Sequence, residues 1–320
     1  MFDVLKELAK SIDTVVVVGV PNLKFFLKIG LGGMAIVYRG STDECKIVLP
    51  FKEFKIIEKF LPRKCEIVMY SYDAYQLHGY VIARNFNEVL QGVLKTITKI
   101  GEEIGVPLYY MDSTMYLTLS KFWKLRDISK DIRILRSKKN TDIIKDLIEI
   151  HNAIKEFVER CKDEGIEVVK CLLANAIDVF DDIGFNLMTK SKDLITLKLT
   201  FNKTPYTLDY TWSIALSKQI VDIIQSVDQL LSKNFGNYYS KLCSDLVKAI
   251  KMQLQHKSLK AWIDICGVGT EPCEYPSLSE CLYESIVIDD GMVLKIETIV
   301  NESIYVPKLF VVKNKNIEVY

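Results

Sequence analysis

The sequence predicts an α/β (α+β) protein in two domains, and three observations carry that expectation. Up to about residue 130, short apolar strands alternate with helical stretches, the pattern of an α/β domain built on a mostly central sheet. Near Asp131 the regime changes to long helices with apolar residues at three-to-four spacing. The last 60 residues then return to strands, so the second half reads as helices grouped against an antiparallel sheet. The expected domains are therefore 1–130 and 131–320.

In order, the first 21 residues read as an amphipathic helix and a buried strand, Val15 to Val18. Further β-rich runs are Ala35 to Tyr38, Lys46 to Leu49, Glu66 to Tyr70 and Val106 to Tyr110. Helices are expected over Phe51 to Phe60 and over Asn87 to Gly105, where Val89, Val93, Ile97 and Ile100 form one stripe. In the second half, Ser137 or Thr141 can cap a helix carrying Ile144, Leu147, Ile154 and Cys161, ended by Gly165. A helix from about Ile166 to Phe180 follows. Strands Leu194 to Phe201 and Leu208 to Ile214 flank the turn Lys203-Thr204-Pro205. Helices at about Ala215 to Lys233 and Tyr238 to Gln255 precede the strands Ala261 to Val268, Met292 to Val300 and Tyr305 to Val312.

Composition narrows the chemistry. Lysine and arginine number 42 against 41 acidic residues, so no global field favours nucleic acid or an anionic lipid surface. The run Val15 to Val20 is far short of the ~20 residues of a membrane span. With no export signal, the expected location is the cytoplasm, where thiols stay reduced unless the source is a hyperthermophile. Three histidines (His78, His151, His256) leave no room for a histidine-rich metal or acid–base site. The eight cysteines (Cys45, Cys65, Cys161, Cys171, Cys243, Cys266, Cys273, Cys281) contain no CxxC pair and are expected mostly as small core residues.

The segment Ile29 to Arg39 looks like the glycine-rich phosphate loop of a protein kinase and also fits G-x-G-x-x-A through Gly30, Gly32 and Ala35. The H-R-D and D-F-G that a kinase requires are missing from the chain. A dinucleotide fold needs a helix after the glycines. Met34 to Tyr38 reads as strand, so the segment is expected to be a plain turn between strands.

Four segments of the second half carry more. They are Ile132 to Ser137, Leu208 to Trp212, Cys266-Gly-Val-Gly-Thr-Glu-Pro-Cys-Glu-Tyr-Pro276, and Asp289-Asp-Gly-Met-Val-Leu-Lys-Ile-Glu297. In this order and spacing the chain resembles the creatinase/prolidase/methionine aminopeptidase family of pita-bread metallopeptidases, the Xaa-Pro peptidase branch in particular. Pro21-Asn22-Leu23 is similar to the start of that branch's N-terminal domain. The resemblance covers nearly the whole chain and implies a C-terminal pita-bread domain, paired helices on a curved antiparallel sheet, behind a creatinase-like N-terminal domain.

The resemblance also implies two divalent ions held by Asp, Asp, His, Glu and Glu around a hydroxide nucleophile, chemistry that suits hard oxygen donors. Position by position, the first Asp falls on Lys198, the second on Asp209, the His on Cys266, one Glu on Glu297, and the last Glu at or beside Pro307. A second, substrate-contacting His falls on Cys273. A further family His lacks a counterpart between Gly184 and Ser191. Asp209 and Glu297 are thus the retained ligand positions, with Lys198, Cys266 and Pro307 substituted and Lys198, Cys266 and Cys273 in the cleft.

An ammonium at Lys198 is expected to pair with Asp209, Glu297 or both and to repel a divalent ion. A soft-metal site from Cys266, Cys273, Asp209 and Glu297 is a rival, and a Cys266–Cys273 disulfide is disfavoured in a reducing cytoplasm. No catalytic residue and no cofactor are expected. The implied protein is a homodimer that has lost peptidase activity and binds a peptide or protein. The alternative is an active Xaa-Pro dipeptidase or aminopeptidase with two manganese, cobalt or zinc ions.

Overall fold

The computed structural model describes residues 1–71, 85–233, 235–256 and 259–320, so His78 lies outside the described residues. The chain divides into two compact units, Met1–Leu135 and Arg136–Tyr320.

The first unit runs α1 (Phe2–Ala9), β1 (Thr14–Val17), α2 (Val20–Leu27), β2 (Ala35–Arg39), β3 (Glu44–Pro50), α3 (Phe51–Ile57), β4 (Glu66–Tyr70), α4 (Phe86–Ile97), β5 (Glu103–Val106), α5 (Ser113–Ser120) and β6 (Lys124–Asp127). Helix α6 (Ser129–Ser137) spans the division. The strands form one mixed sheet ordered β4-β3-β2-β1-β5-β6. Strand β1 shows why it is central: Val15 and Val17 enter one buried cluster while Val16 and Val18 enter another, so successive side chains serve both faces.

Three expectations for this unit are corrected. Helix α4 stops at Ile97 rather than Gly105, because Thr98 turns to an extended backbone (φ −134°, ψ 155°), and Ile100 beyond it stands 63% exposed, off the buried stripe. The strand expected at Val106 to Tyr110 lies earlier, at Glu103–Val106, and Leu108–Tyr110 is a 3-10 turn. The glycine segment joins helix α2 to strand β2, not two strands.

The second unit begins with α7 (Thr141–Cys161) and α8 (Val168–Ala176), followed by β7 (Asp182–Lys190), β8 (Leu194–Lys203) and β9 (Tyr206–Ala215). The cap of α7 is Asn140, whose Oδ1 accepts the Ile143 N–H at 2.9 Å, rather than Ser137 or Thr141. The expected Ile166–Phe180 helix shortens to α8, with a 3-10 turn at Lys162–Glu167 before it. Then come α9 (Lys218–Leu231), α10 (Cys243–His256), β10 (Ala261–Gly267), β11 (Glu274–Ser277), α11 (Leu278–Tyr283), β12 (Val293–Val300), β13 (Ile304–Lys313) and β14 (Asn316–Val319). Strands β7-β8-β9 make one antiparallel sheet and β11-β10-β12-β13-β14 a second.

Alternation along β8 and β9 assigns their faces. Ile195, Leu197, Leu199 and Phe201, with Leu208, Tyr210 and Ile214, join the α7–α8 core. The intervening Lys198, Thr200, Asp209 and Thr211 therefore point the other way. Strand β9 packs beside β13, and a Tyr305 N–H to Ser213 Oγ bond of 2.9 Å ties the two sheets.

All eight cysteines are paired, as Cys45–Cys65, Cys161–Cys171, Cys243–Cys281 and Cys266–Cys273. This corrects the expectation of free core thiols. The residues are small and mostly buried, which is what packing predicts, but their sulfurs are bonded to one another. Spacing along the chain could not show this, since eight cysteines allow 105 connectivities.

Candidate functional site

A cleft of about 660 Å³ opens on the polar face of the two sheets. Its floor is set by register. Lys198 stands opposite Thr211 and Thr200 opposite Asp209 across β8 and β9. Across β10 and β12, Asp264 faces Glu297 and Cys266 faces Lys295.

Lys198 Nζ lies 3.1 Å from Asp209 Oδ2, and Thr200 Oγ1 donates to Asp209 Oδ1 at 2.9 Å. The Lys198 side chain is half exposed. Lys198 therefore pairs with Asp209, while Glu297 takes another partner. That partner is Lys295, whose Nζ sits 3.5 Å from Glu297 Oε1 and donates to the Asp209 carbonyl at 2.7 Å. The Thr211 N–H also donates to Glu297 Oε1, at 2.5 Å. Burial pushes the Glu297 carboxyl above its ordinary value, against the opposing pull of Lys295 and the Thr211 N–H. Lys295 lies inside the Asp289 to Glu297 segment, at a position to which the resemblance gives no role. Its two-residue offset from Glu297 on one strand was the available signal.

Cys266 and Cys273 both line the cleft, joined to each other. The disulfide closes the Gly267–Pro272 loop, which a buried ionic cluster anchors from below. Glu274 accepts from Arg136 Nη2 at 2.8 Å, Lys139 Nζ at 2.5 Å and the Thr270 N–H at 2.6 Å. Burial alone would raise the Glu274 carboxyl, but Lys139 and Arg136 hold it down at about 2. This explains the G-x-G of the segment. A Cβ at Gly269 would lie 2.3 Å from Glu274 Oε2, and one at Gly267 would lie 2.3 Å from the Tyr275 carbonyl oxygen.

Pro307 faces Glu297 across β12 and β13 but borders a separate small cavity with His151, Trp212 and Lys308. His151 is buried in the core, its Nδ1 2.8 Å from Tyr210 Oη, and burial together with Lys155 and Lys308 drives it down to about 3.

The donor set does not fit the pair of divalent ions that the resemblance implies. Lys198 and Lys295 place ammonium groups against the two carboxylates, the Cys266 sulfur is bonded to Cys273, and Pro307 carries no donor. The soft-metal alternative loses its thiolates to the same bond. Among the described residues no group of three or more His, Cys, Asp or Glu is placed to hold a metal ion.

No protein-family model matches the chain. It is 24% identical to the Xaa-Pro dipeptidase of Pyrococcus furiosus, over 93% of this chain and 88% of that protein. Its fold superposes on the Xaa-Pro dipeptidase of Bacillus anthracis with a TM-score of 0.78 at 15% identity, covering 99% and 96% of the two chains. For the prolidase of Pyrococcus horikoshii the TM-score is 0.74 at 17% identity, covering 100% and 96%. The X-Pro aminopeptidase of Thermotoga maritima gives 0.74 at 11%, covering 98% and 97%. The chain therefore carries the pita-bread fold, in the form found in these Xaa-Pro dipeptidases and prolidases.

Proposed function

We propose that this chain is a prolidase-like protein without metal-dependent peptidase activity, and that it uses the cleft to bind a peptide or a segment of another protein. The observation that carries the reading is the double ion pair. Lys198 and Lys295 neutralise Asp209 and Glu297, the two retained ligand positions, with side-chain charge instead of metal charge. Without a metal-bound hydroxide the cleft has no strong nucleophile, yet it keeps a polar floor and a volume suited to a short peptide.

Metal analysis of protein purified without chelator, with hydrolysis of Ala-Pro and Met-Pro in added manganese or cobalt, tests this. The expected result is no bound metal and no cleavage. About two metal equivalents per chain, or cleavage that disappears in Asp209→Ala, establishes the active Xaa-Pro peptidase instead.

Two further features belong to the same proposal. The protein is a homodimer, which light scattering checks against twice the 36.7 kDa chain mass. Four disulfides point to maturation in an oxidising compartment or in a hyperthermophile's cytoplasm, rather than in an ordinary reducing one.

A further inference from the structure

The charges of the cleft do not cancel. Its lining holds three carboxylates, Asp209, Asp264 and Glu297, against two ammonium groups, Lys198 and Lys295. The lysines are committed, one to Asp209 and the other to Glu297. Asp264 uses Oδ1 to accept the N–H of Ile265, its own neighbour, at 2.9 Å, and among the described residues no lysine or arginine pairs with it.

Register places aromatic and apolar surface beside this carboxylate. Trp262 lies two residues before Asp264 on β10, hence on the same face, and stands 51% exposed. Trp262, Ile299 and Tyr305 form one cross-strand row directly next to the row of Asp264 and Glu297. Ile299 and Tyr305 themselves line the cleft. An indole face next to an uncommitted carboxylate is the pairing that recognises an organic cation. The ring quadrupole attracts the charge, the carboxylate neutralises it, and the apolar row covers the aliphatic stem.

We propose that the cleft selects a peptide presenting a cationic group, with Asp264 as its counter-ion and Trp262 as its platform. The inference rests on the peptide-binding reading above and adds the ligand's chemistry to it. A Lys or Arg side chain is the occupant that fits best, because its methylene stem matches the Trp262–Ile299–Tyr305 row, and a free amino terminus would share the charge but not the stem.

A set of labelled, end-capped tetrapeptides differing only in a central Lys, Arg, Gln or Glu, with an uncapped Gln peptide added, tests this by fluorescence anisotropy. Lys and Arg peptides are expected to bind about tenfold tighter than the capped Gln peptide, as befits a charge-assisted contact, with Glu weakest. In Asp264→Asn, a substitution at a partly exposed position, the Lys-to-Gln preference should vanish while Gln binding persists. In Trp262→Ala it should shrink. Equal binding of capped Lys and Gln peptides, or a preference that survives Asp264→Asn, overturns the cation assignment while leaving peptide binding intact. A preference confined to the uncapped peptide overturns the side-chain assignment. Failure of every peptide to bind overturns the peptide-binding reading and this inference with it.

Discussion

At the scale of single residues, the cleft is governed by which partner each buried charge finds. Lys295 is only 7% exposed, and it is the cation nearest Glu297. Lys295→Met should therefore strand a buried carboxylate and cost about 3 kcal/mol, whereas Lys295→Met combined with Glu297→Gln should recover most of it. Urea denaturation at neutral pH reads both variants. Lys198→Met should cost much less, because half of that side chain already faces water. Glu274 gives a pH signature. Its carboxyl is held at about 2 in the fold against an ordinary 4.5, so the folded state binds fewer protons than the unfolded chain across that window. Its contribution is complete above pH 4.5 and is lost as pH falls toward 2. Glu274→Gln should lower stability at neutral pH and flatten that part of the acid limb. Asp209 and Glu297 are legible in the sequence because each sits in a segment that carries the resemblance, Leu208 to Trp212 and Asp289 to Glu297, and the resemblance supplies their chemistry. Lys295 and Asp264 were not legible, since their importance comes from facing Cys266 and Glu297 across strands, and cross-strand register is not written in any one segment.

At the scale of elements, periodicity explains what could be read and where it failed. The α7 stripe and the alternation of β8 and β9 belong to elements with one core face and one polar face, so the pattern is strong. Strand β7 carries no legible alternation, because Phe185, Leu187 and Met188 are all about half exposed. The end of α4 is not legible from periodicity, because the apolar spacing runs on through Ile100 after the helix has stopped, and the break is a turn of the Thr98 backbone into the extended region. Disulfides tie elements together with an effect that grows with the loop each closes. Cys243–Cys281 joins α10 to α11 across a separation of 38, and Cys266–Cys273 closes one of 7. Replacing both cysteines of the first pair with serine should cost about 4 kcal/mol, and replacing both of the second about 2 kcal/mol. Guanidinium unfolding of the two double variants under non-reducing conditions checks the ranking.

At the scale of the whole molecule, the four cross-links are distributed so that the first unit holds one and the second holds three. Alkylation of denatured, unreduced protein should therefore modify no cysteine, and alkylation after reduction should modify all eight, as intact mass will show. Any thiol labelled before reduction would identify a pair that does not form. The same bonds bear on any change made to the cleft. A histidine placed at position 266 would not by itself build a ligand set. It would break the cross-link to Cys273, release a lone thiol beside the loop, and still face Lys295 across the strand pair and Lys198 on the neighbouring sheet. The Cys266–Cys273 bond thus couples the cleft wall to the fold: position 266 cannot be given a new donor without opening the loop from Gly267 to Pro272 that the bond closes.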